Sequence, residues 1–400
     1  VTLPAVLVTV YPFECDAFGH LNQASCLAVL ERARWDALAQ GPGMDVFKRH
    51  GVWPAARRTT IDYRAAAYAG DVLRVEMVVT DRGTTSFTMR HAARRVSDDV
   101  MIAEADMVFV CIDRVGRPTP IPEEIARTLG ATRHATRETR RIDVAGGELE
   151  VEVRGEGAPV VFVHGFPFDR TMWRHQLATL TRWKRIAPDL CGFGASSAPR
   201  DGYSMARYVS DLMSVLDALD VPQAAFCGLS MGGYILFELL RRHPERVRAL
   251  VLADTRAEAD TPEGKRGRDE LIGVARTEGA EGLVKRQLSK LLGPATRQSH
   301  PDVVRHVEDM MRRASVDGIV GALVAMKERP DSRPLLTEIK VPTLVMVGAD
   351  DVTTPPAVSR SMAEAIPGAR YAELPAAGHL SPLEQPLAAS RLLSDFLGSL

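Results

Sequence analysis

The sequence predicts two domains of different class, an α+β domain followed by an α/β domain. Three observations carry this. One long amphipathic helix near the start is followed by a meander of long strands. A proline-rich and then polar, basic stretch interrupts the chain over 114–141. Beyond it, short apolar runs alternate with helical patterns, which argues a mostly parallel sheet covered on both faces.

Bulk properties bound the partners. The 400 residues suit two or three domains, and 46% hydrophobic with 25% charged is a globular composition. A formal net charge of −1 gives no electrostatic reason to expect nucleic acid or an anionic membrane as a partner. Lys supplies only seven of the 50 basic residues, and the Arg excess, with much Ala and Val, reads as coding bias rather than a binding patch. Cys15, Cys26, Cys111, Cys191 and Cys227 are odd in number and unpaired in spacing, as expected of free thiols in a reducing compartment. Residues 1–10 lack the basic region, apolar core and cleavage site of a signal peptide. No run of about 18 apolar residues occurs. A soluble, cytoplasmic protein is expected. No metal is expected, since no His/Asp/Glu cluster has ligand spacing, and no cofactor, since no Gly-rich phosphate loop carries a Lys.

In chain order, residues 5–13 read as a strand. Glu14-Cys-Asp16-Ala-Phe-Gly19-His20-Leu-Asn22-Gln23 then runs into a helix ending near Gly41, with Leu27, Leu30, Ala33, Ala37 and Leu38 at helical spacing. Strand patterns follow at Thr59–Tyr63, Val72–Thr80, Ser86–Val96 and Met101–Asp113, with turns at Gly70-Asp71, Asp81-Arg-Gly83 and Ser97-Asp-Asp99. The sheet is expected to wrap the helix.

Asp16-x-x-Gly19-His20-x-Asn22, Glu31-Arg32-Ala33-Arg34, Ile61-Asp-Tyr63-Arg with Gly70-Asp71, and Gly116-Arg117-Pro118 with Ile121-Pro122 make residues 5–125 resemble the hotdog-fold acyl-CoA thioesterases of the 4-hydroxybenzoyl-CoA type. The resemblance implies that Asp16 acts as nucleophile or general base on a thioester carbonyl. It implies that the backbone N–H of Gln23, at a helix N-terminus, polarises the carbonyl oxygen. Glu31 is expected to be buried and hydrogen-bonded near this site, as a third candidate residue in either a structural or a catalytic role, and His20 to be a structural or pocket-lining imidazole. Asn22-Gln23 stands where many relatives have Asn-Asn, and Cys26 where a Tyr is common. Both changes alter the acyl-pocket wall. Hotdog sites form between protomers, so a homo-oligomer, dimer or tetramer, is implied. A non-catalytic dimerisation module is the alternative for this domain, with Asp16 as a cap or turn residue.

The domain boundary is expected in the stretch 114–141, after a short helix near Glu123–Leu129, with the hotdog domain at 1–130 and a linker at 131–141. A hairpin, Ile142–Val144 and Leu149–Val153 around Gly146-Gly147, then opens the second domain, 142–400. A buried strand at Val160–Val163, a helix at Thr171–Leu180, a strand at Arg185–Pro188 and a helix at Met205–Leu219 follow. The apolar run Ala224–Cys227 then turns through Gly228-Leu-Ser230-Met-Gly232 into a helix reaching His243. A Ser at the apex of a strand–turn–helix is forced into a strained backbone and points its hydroxyl out of the sheet. Side chains at 228 or 232 would collide where strand and helix nearly touch. Further strands are expected at Ala249–Ala253, Thr343–Val347 and Arg370–Leu374. Between them, about 255–341, helical patterns at Lys265–Glu278, Glu281–Leu292, Pro301–Ser315 and Gly318–Arg329 suggest a lid. Its Met310, Met311, Leu323 and Met326 suit lid core better than substrate contact.

His164-Gly165-Phe166, Asp189-x-x-Gly192-x-Gly194-x-Ser196, Gly228-x-Ser230-x-Gly232-Gly233, Gly348-Ala-Asp350-Asp351 with Pro355, and Ala377-Gly378-His379 with Glu384-x-Pro386 make residues 141–400 resemble the α/β-hydrolase superfamily. Ser, Asp and His occur in the chain order of that fold. The resemblance is to small carboxylesterases, enol-lactone hydrolases and cofactor-free haloperoxidases. It implies Ser230 as nucleophile, His379 as base and then acid, and Asp351 as the orienting carboxylate, with Asp254 and Asp350 as competitors for that last role. Backbone N–H groups of Phe166 and Met231 would form the oxyanion hole. Ser at the apex excludes the carboxylate nucleophile that haloalkane dehalogenases and epoxide hydrolases need. The expected function is a serine carboxylesterase acting on a small-molecule ester through an acyl-enzyme, with a second acyl-CoA thioesterase activity in the first domain. A lactonase or perhydrolase using the same triad is the alternative.

Overall fold

The computed structural model describes residues 2–40, 45–129 and 138–400. The chain falls into two units, Val1–Ala135 and Thr136–Leu400. The expected linker lies largely outside the described residues.

In the first unit β1 (Thr2–Thr9) precedes α1 (Gln23–Gln40), α2 (Asp45–Arg49), β2 (Trp53–Tyr63), β3 (Val72–Arg82), β4 (Ser86–Arg95), β5 (Met101–Ile112) and α3 (Glu123–Leu129). The strands form one antiparallel sheet in the order β1-β3-β4-β5-β2. Residues of β3, β4 and β5 alternate between buried and half-buried, the period-2 signature of a sheet with one face on a core. The helix α1 lies on that sheet through Cys26, Val29, Leu30, Ala33, Ala37 and Leu38. Leu27, expected on this stripe, is exposed. The buried set already repeats every three to four residues from Cys26, and the next position points about 100° away. Arg34 is buried on the same stripe, its guanidinium 4.6 Å from the Phe109 ring centre. Strand β2 begins six residues earlier than its pattern suggested. A bulge between Ala56 and Arg58 breaks the alternation that would have revealed it.

The second unit runs β6 (Glu138–Val144), β7 (Gly147–Arg154), β8 (Pro159–Val163), α4 (Arg174–Thr179), β9 (Lys184–Pro188), α5 (Met205–Ala218), β10 (Ala224–Leu229), α6 (Met231–Arg242) and β11 (Val247–Ala253). A helical insertion follows: α7 (Pro262–Leu291), α8 (Pro294–Ser299), α9 (Pro301–Arg313), α10 (Val316–Lys327) and α11 (Arg333–Leu336). The chain ends with β12 (Thr343–Gly348), α12 (Pro356–Ala365), β13 (Arg370–Leu374), α13 (Ser381–Glu384) and α14 (Pro386–Leu397). The eight strands are ordered β13-β12-β11-β10-β8-β9-β7-β6, parallel except where β7 meets β9 and β6. Strands β10 and β12 are buried at every position, as a sheet covered on both faces requires.

Strand β6 starts at Glu138, so Glu138–Arg141, expected in the linker, pair with β7 instead. They are polar because β6 is the edge strand and these residues face solvent. The patterns at 265–278 and 281–292 are the two halves of α7, which leaves helical geometry at Gly279 (φ 65°, ψ −160°). Met310, Met311, Leu323 and Met326 are buried in the hydrophobic core. No helix among the described residues is long and apolar enough to cross a membrane.

Candidate active site

Ser230 follows β10 and opens α6 with φ 54°, ψ −112°. A non-glycine residue held there costs on the order of 1–3 kcal/mol, and the surroundings must enforce it. They do so by close approach. A Cβ at Gly228 would lie 2.7 Å from the Gly232 backbone, and one at Gly232 would lie 2.4 Å from the Val163 carbonyl oxygen. The second collision is with the end of β8 rather than with β10. The end of β11 braces the turn from the other side. Ser230 N–H donates to the Ala253 carbonyl at 2.9 Å, and the Thr255 hydroxyl donates to the Ser230 carbonyl at 2.8 Å.

The Ser230 hydroxyl lies 2.9 Å from His379 Nε2, and His379 Nδ1 lies 2.8 Å from Asp351 Oδ2. His379 and Asp351 are buried. Asp351 accepts three further bonds: Thr353 N–H at 2.7 Å, Thr354 N–H at 3.0 Å and the Thr354 hydroxyl at 2.6 Å. Burial pushes its carboxyl up, but the His379 charge and these donors outweigh burial and hold it below the usual carboxylate range. Of the three candidate carboxylates, Asp351 is the one placed against the imidazole. Asp350 is exposed. Asp254 is fully buried, and its two oxygens accept Gly348 N–H at 2.8 Å and the Ser381 hydroxyl at 2.6 Å, not the imidazole. Burial, then the neighbouring Asp351, raises its carboxyl well above the ordinary value.

Met231 is the first residue of α6, so its N–H has no intrahelical acceptor. Phe166 sits in the turn after β8, its ring edge-on to Phe193 at 6.1 Å. That turn is fixed by His164, whose Nδ1 donates to the Gly165 carbonyl at 2.9 Å while Nε2 accepts Leu190 N–H at 2.9 Å. Burial lowers this imidazole to about 4, so it is a neutral tether. Motif reading did not assign Glu384 a role. Its Oε1 accepts the N–H groups of Gly378 and Leu380, on either side of His379, at 2.8 and 3.2 Å. Its Oε2 accepts Gly293 N–H at 2.8 Å, and His379 N–H donates to the Leu291 carbonyl at 3.0 Å.

In the first unit Asp16 is exposed in a tight loop. Its Oδ1 accepts Phe18 N–H at 2.9 Å and His20 N–H at 3.1 Å. The loop closes through Asn22 N–H on the Glu14 carbonyl and a Cys15–Leu21 bridge. Asn22 accepts Ala24 N–H at 2.8 Å as the cap of α1. Gln23, the first residue of α1, is exposed, and its carbonyl accepts the Tyr63 hydroxyl at 3.2 Å. Glu31 is exposed, not buried as expected, and accepts from Arg34 and Trp35 Nε1. It falls on the outer flank of α1, where helical spacing from the buried stripe puts it. The buried acid here is Glu14, which accepts Tyr11 N–H at 2.8 Å and Arg32 at 3.2 Å. Among the described residues no group of His, Cys, Asp and Glu is arranged to hold a metal ion.

A doubly covered parallel sheet with a Ser at the strained strand–helix turn, an imidazole against it and an inserted helical segment defines a hydrolase of the α/β type. The comparisons agree. A family model described as "alpha/beta hydrolase fold" matches residues 158–386, and one described as "Thioesterase-like superfamily" matches residues 10–129. The chain belongs to the α/β-hydrolase family and carries a thioesterase-like (hotdog) domain at its N-terminal end. It is 30% identical over 230 residues to 3-oxoadipate enol-lactonase 2 of Acinetobacter baylyi, covering 57% of this chain and 84% of that protein. A solved thermophilic esterase from Thermogutta terrifontis is 36% identical with a TM-score of 0.64, covering 66% of this chain and 98% of that one. The enol-lactonase from Burkholderia xenovorans is 32% identical with a TM-score of 0.61, covering 65% and 100%.

Proposed function

We propose that the second unit is a serine ester hydrolase that cleaves a small carboxylic ester through an acyl-enzyme. The observation that carries the reading is the continuous chain from Asp351 through His379 to the Ser230 hydroxyl. His379 takes the Ser230 proton as Oγ attacks the ester carbonyl, and returns it to the leaving alkoxide. Asp351 fixes Nδ1–H toward itself and stabilises the imidazolium. The N–H groups of Met231 and Phe166 receive the oxyanion. Water, activated by the same imidazole, then releases the acid. Ser230→Ala is expected to lower kcat on p-nitrophenyl acetate by at least about 10³-fold, with the circular-dichroism spectrum unchanged. Wild-type turnover in that variant would reject the assignment.

The relatives named as enol-lactonases support a second reading with the same residues, in which the ester is cyclic and the leaving alkoxide stays attached to the acyl group. Comparing kcat/KM on matched linear esters and lactones chooses between them. For the first unit the reading is an acyl-CoA thioesterase. Asp16 supplies the carboxylate and the N-terminus of α1 polarises the carbonyl at Gln23. The matched thioesterase-like family model supports it.

A further inference from the structure

The two halves of α7, bent back at Gly279, help to enclose an open cavity of about 670 Å³ whose remaining wall includes Tyr234, Arg256, Thr353 and Thr354. The volume suits a small organic molecule. The cavity adjoins the acid turn, where Thr353 and Thr354 form part of its wall. Ser230, Met231, Phe166 and His379 are not among its lining residues, while the Thr354 hydroxyl bonds Asp351 Oδ2.

Six charged side chains line it, four basic and two acidic, and three of them are already matched. Asp260 is shared by Arg268 at 3.0 Å and Arg329 at 2.8 Å, and Arg286 pairs with Glu278 at 2.7 Å. Glu270 is the other lining acid. Arg256 and Lys290 have no carboxylate partner among the described residues. They are anchored on one residue: the Arg256 guanidinium donates to the Thr353 carbonyl, and the Thr353 hydroxyl donates to the Lys290 carbonyl at 3.4 Å. Two cations without carboxylate partners on the wall of one concave site raise the potential inside it, and a bound anion offsets that charge.

The geometry points to this cavity as a binding site for a small organic anion bearing carboxylate or phosphate groups, held by Arg256 and Lys290. The anion is either a separate molecule or the charged arm of the ester itself. In both cases its contacts reach the acid turn through Thr353 and Thr354.

The test uses the full chain, with inorganic phosphate and citrate as probes and potassium chloride at equal ionic strength as control. In wild type, phosphate or citrate is expected to raise the melting midpoint saturably by about 2–4 °C beyond chloride. The double variant Arg256→Gln/Lys290→Glu is expected to lose that rise. Lys290 is exposed, so Lys290→Ala alone serves if the double variant does not fold. Melting needs no turnover, and the same response is expected in Ser230→Ala. Failure here is therefore separable from failure of the ester-hydrolase reading. A second measurement assigns the source, using the ratio of KM for an ester with a terminal carboxylate to KM for its neutral analogue. A rise of about tenfold in the variant means that the substrate's own arm occupies the cavity. An unaltered ratio together with a lost phosphate or citrate response means a separate anion. No rise beyond chloride in wild type, or an equal rise in the variants, together with an unaltered ratio, overturns the proposal.

Discussion

His164 and Asp254 show what single side chains contribute besides chemistry. The folded His164 imidazole gains a proton only near pH 4, because burial disfavours its charged form, against an ordinary value of 6.5. Between those values the unfolded chain binds more protons, so stability falls as the solution is acidified. The expected contribution is on the order of 2 kcal/mol between pH 7 and pH 5. His91 in the first unit, also lowered to about 4 by burial, acts in the same direction. Urea midpoints of wild type and His164→Gln at the two pH values isolate the His164 share, and the variant's dependence should be the shallower. Asp254 ties the acid strand at Gly348 to the histidine loop at Ser381. Asp254→Ala is expected to lower kcat about 10–100-fold through misplacement of His379, with KM little altered. Asp254→Asn should restore most of the loss, since an amide can accept from Gly348 and donate to Ser381. Equal kcat in wild type and the alanine variant would remove Asp254 from this role. The juxtaposition of Ser230, His379 and Asp351 was legible in the sequence because each sits in a short local motif and their order suits the fold. Asp254, Thr354 and Glu384 were not legible in these roles, because their partners are distant in sequence and meet only in the packed molecule.

Among the elements, the passage from β10 to α6 is the most demanding. The Cβ of Gly232→Ala would press on the Val163 carbonyl, part of the backbone of a fully buried strand end. A cost of about 1–3 kcal/mol is expected, read as a lower denaturation midpoint, with lost esterase activity as the turn shifts. An unchanged midpoint would mean that the strands spread freely. Periodicity located β3, β4, β5, β10 and β12 because their burial is regular. It missed the start of β2, where a bulge interrupts the alternation, and α2 and α8, which are too short to show a period. The polar opening of β6 reads as linker because an edge strand needs few apolar residues.

For the whole molecule, the two units pose separable questions. Asp16→Ala is expected to abolish hydrolysis of acyl-CoA while sparing p-nitrophenyl esters, measured by release of free thiol and of nitrophenolate. Thiol release at the wild-type rate would leave Asp16 as the turn residue that its bonds to Phe18 and His20 already make it. Both fold classes were readable because each unit repeats one pattern, a meander in the first and alternation in the second. The exposure of Glu31 was expected otherwise because its burial was inferred from a resemblance, whereas helical spacing from the buried stripe of α1 puts it on the outer flank.

The inserted helices and the His379 loop share a fastening. Glu384 holds Gly293, at the junction of α7 and α8, with the same carboxylate that grips the amides beside His379, and the His379 amide itself rests on Leu291. Lifting the insertion at that corner would break bonds that also hold the His379 loop. The insertion is also fastened through α9, where Arg313 pairs with Asp169 at 2.6 Å, and at the start of α10, where the Ser315 hydroxyl donates to the Gly192 carbonyl at 3.1 Å. A corner tied this way resists local opening, so the amides of Gly293, Gly378 and His379 should be among the slowest in the second unit to exchange with deuterium.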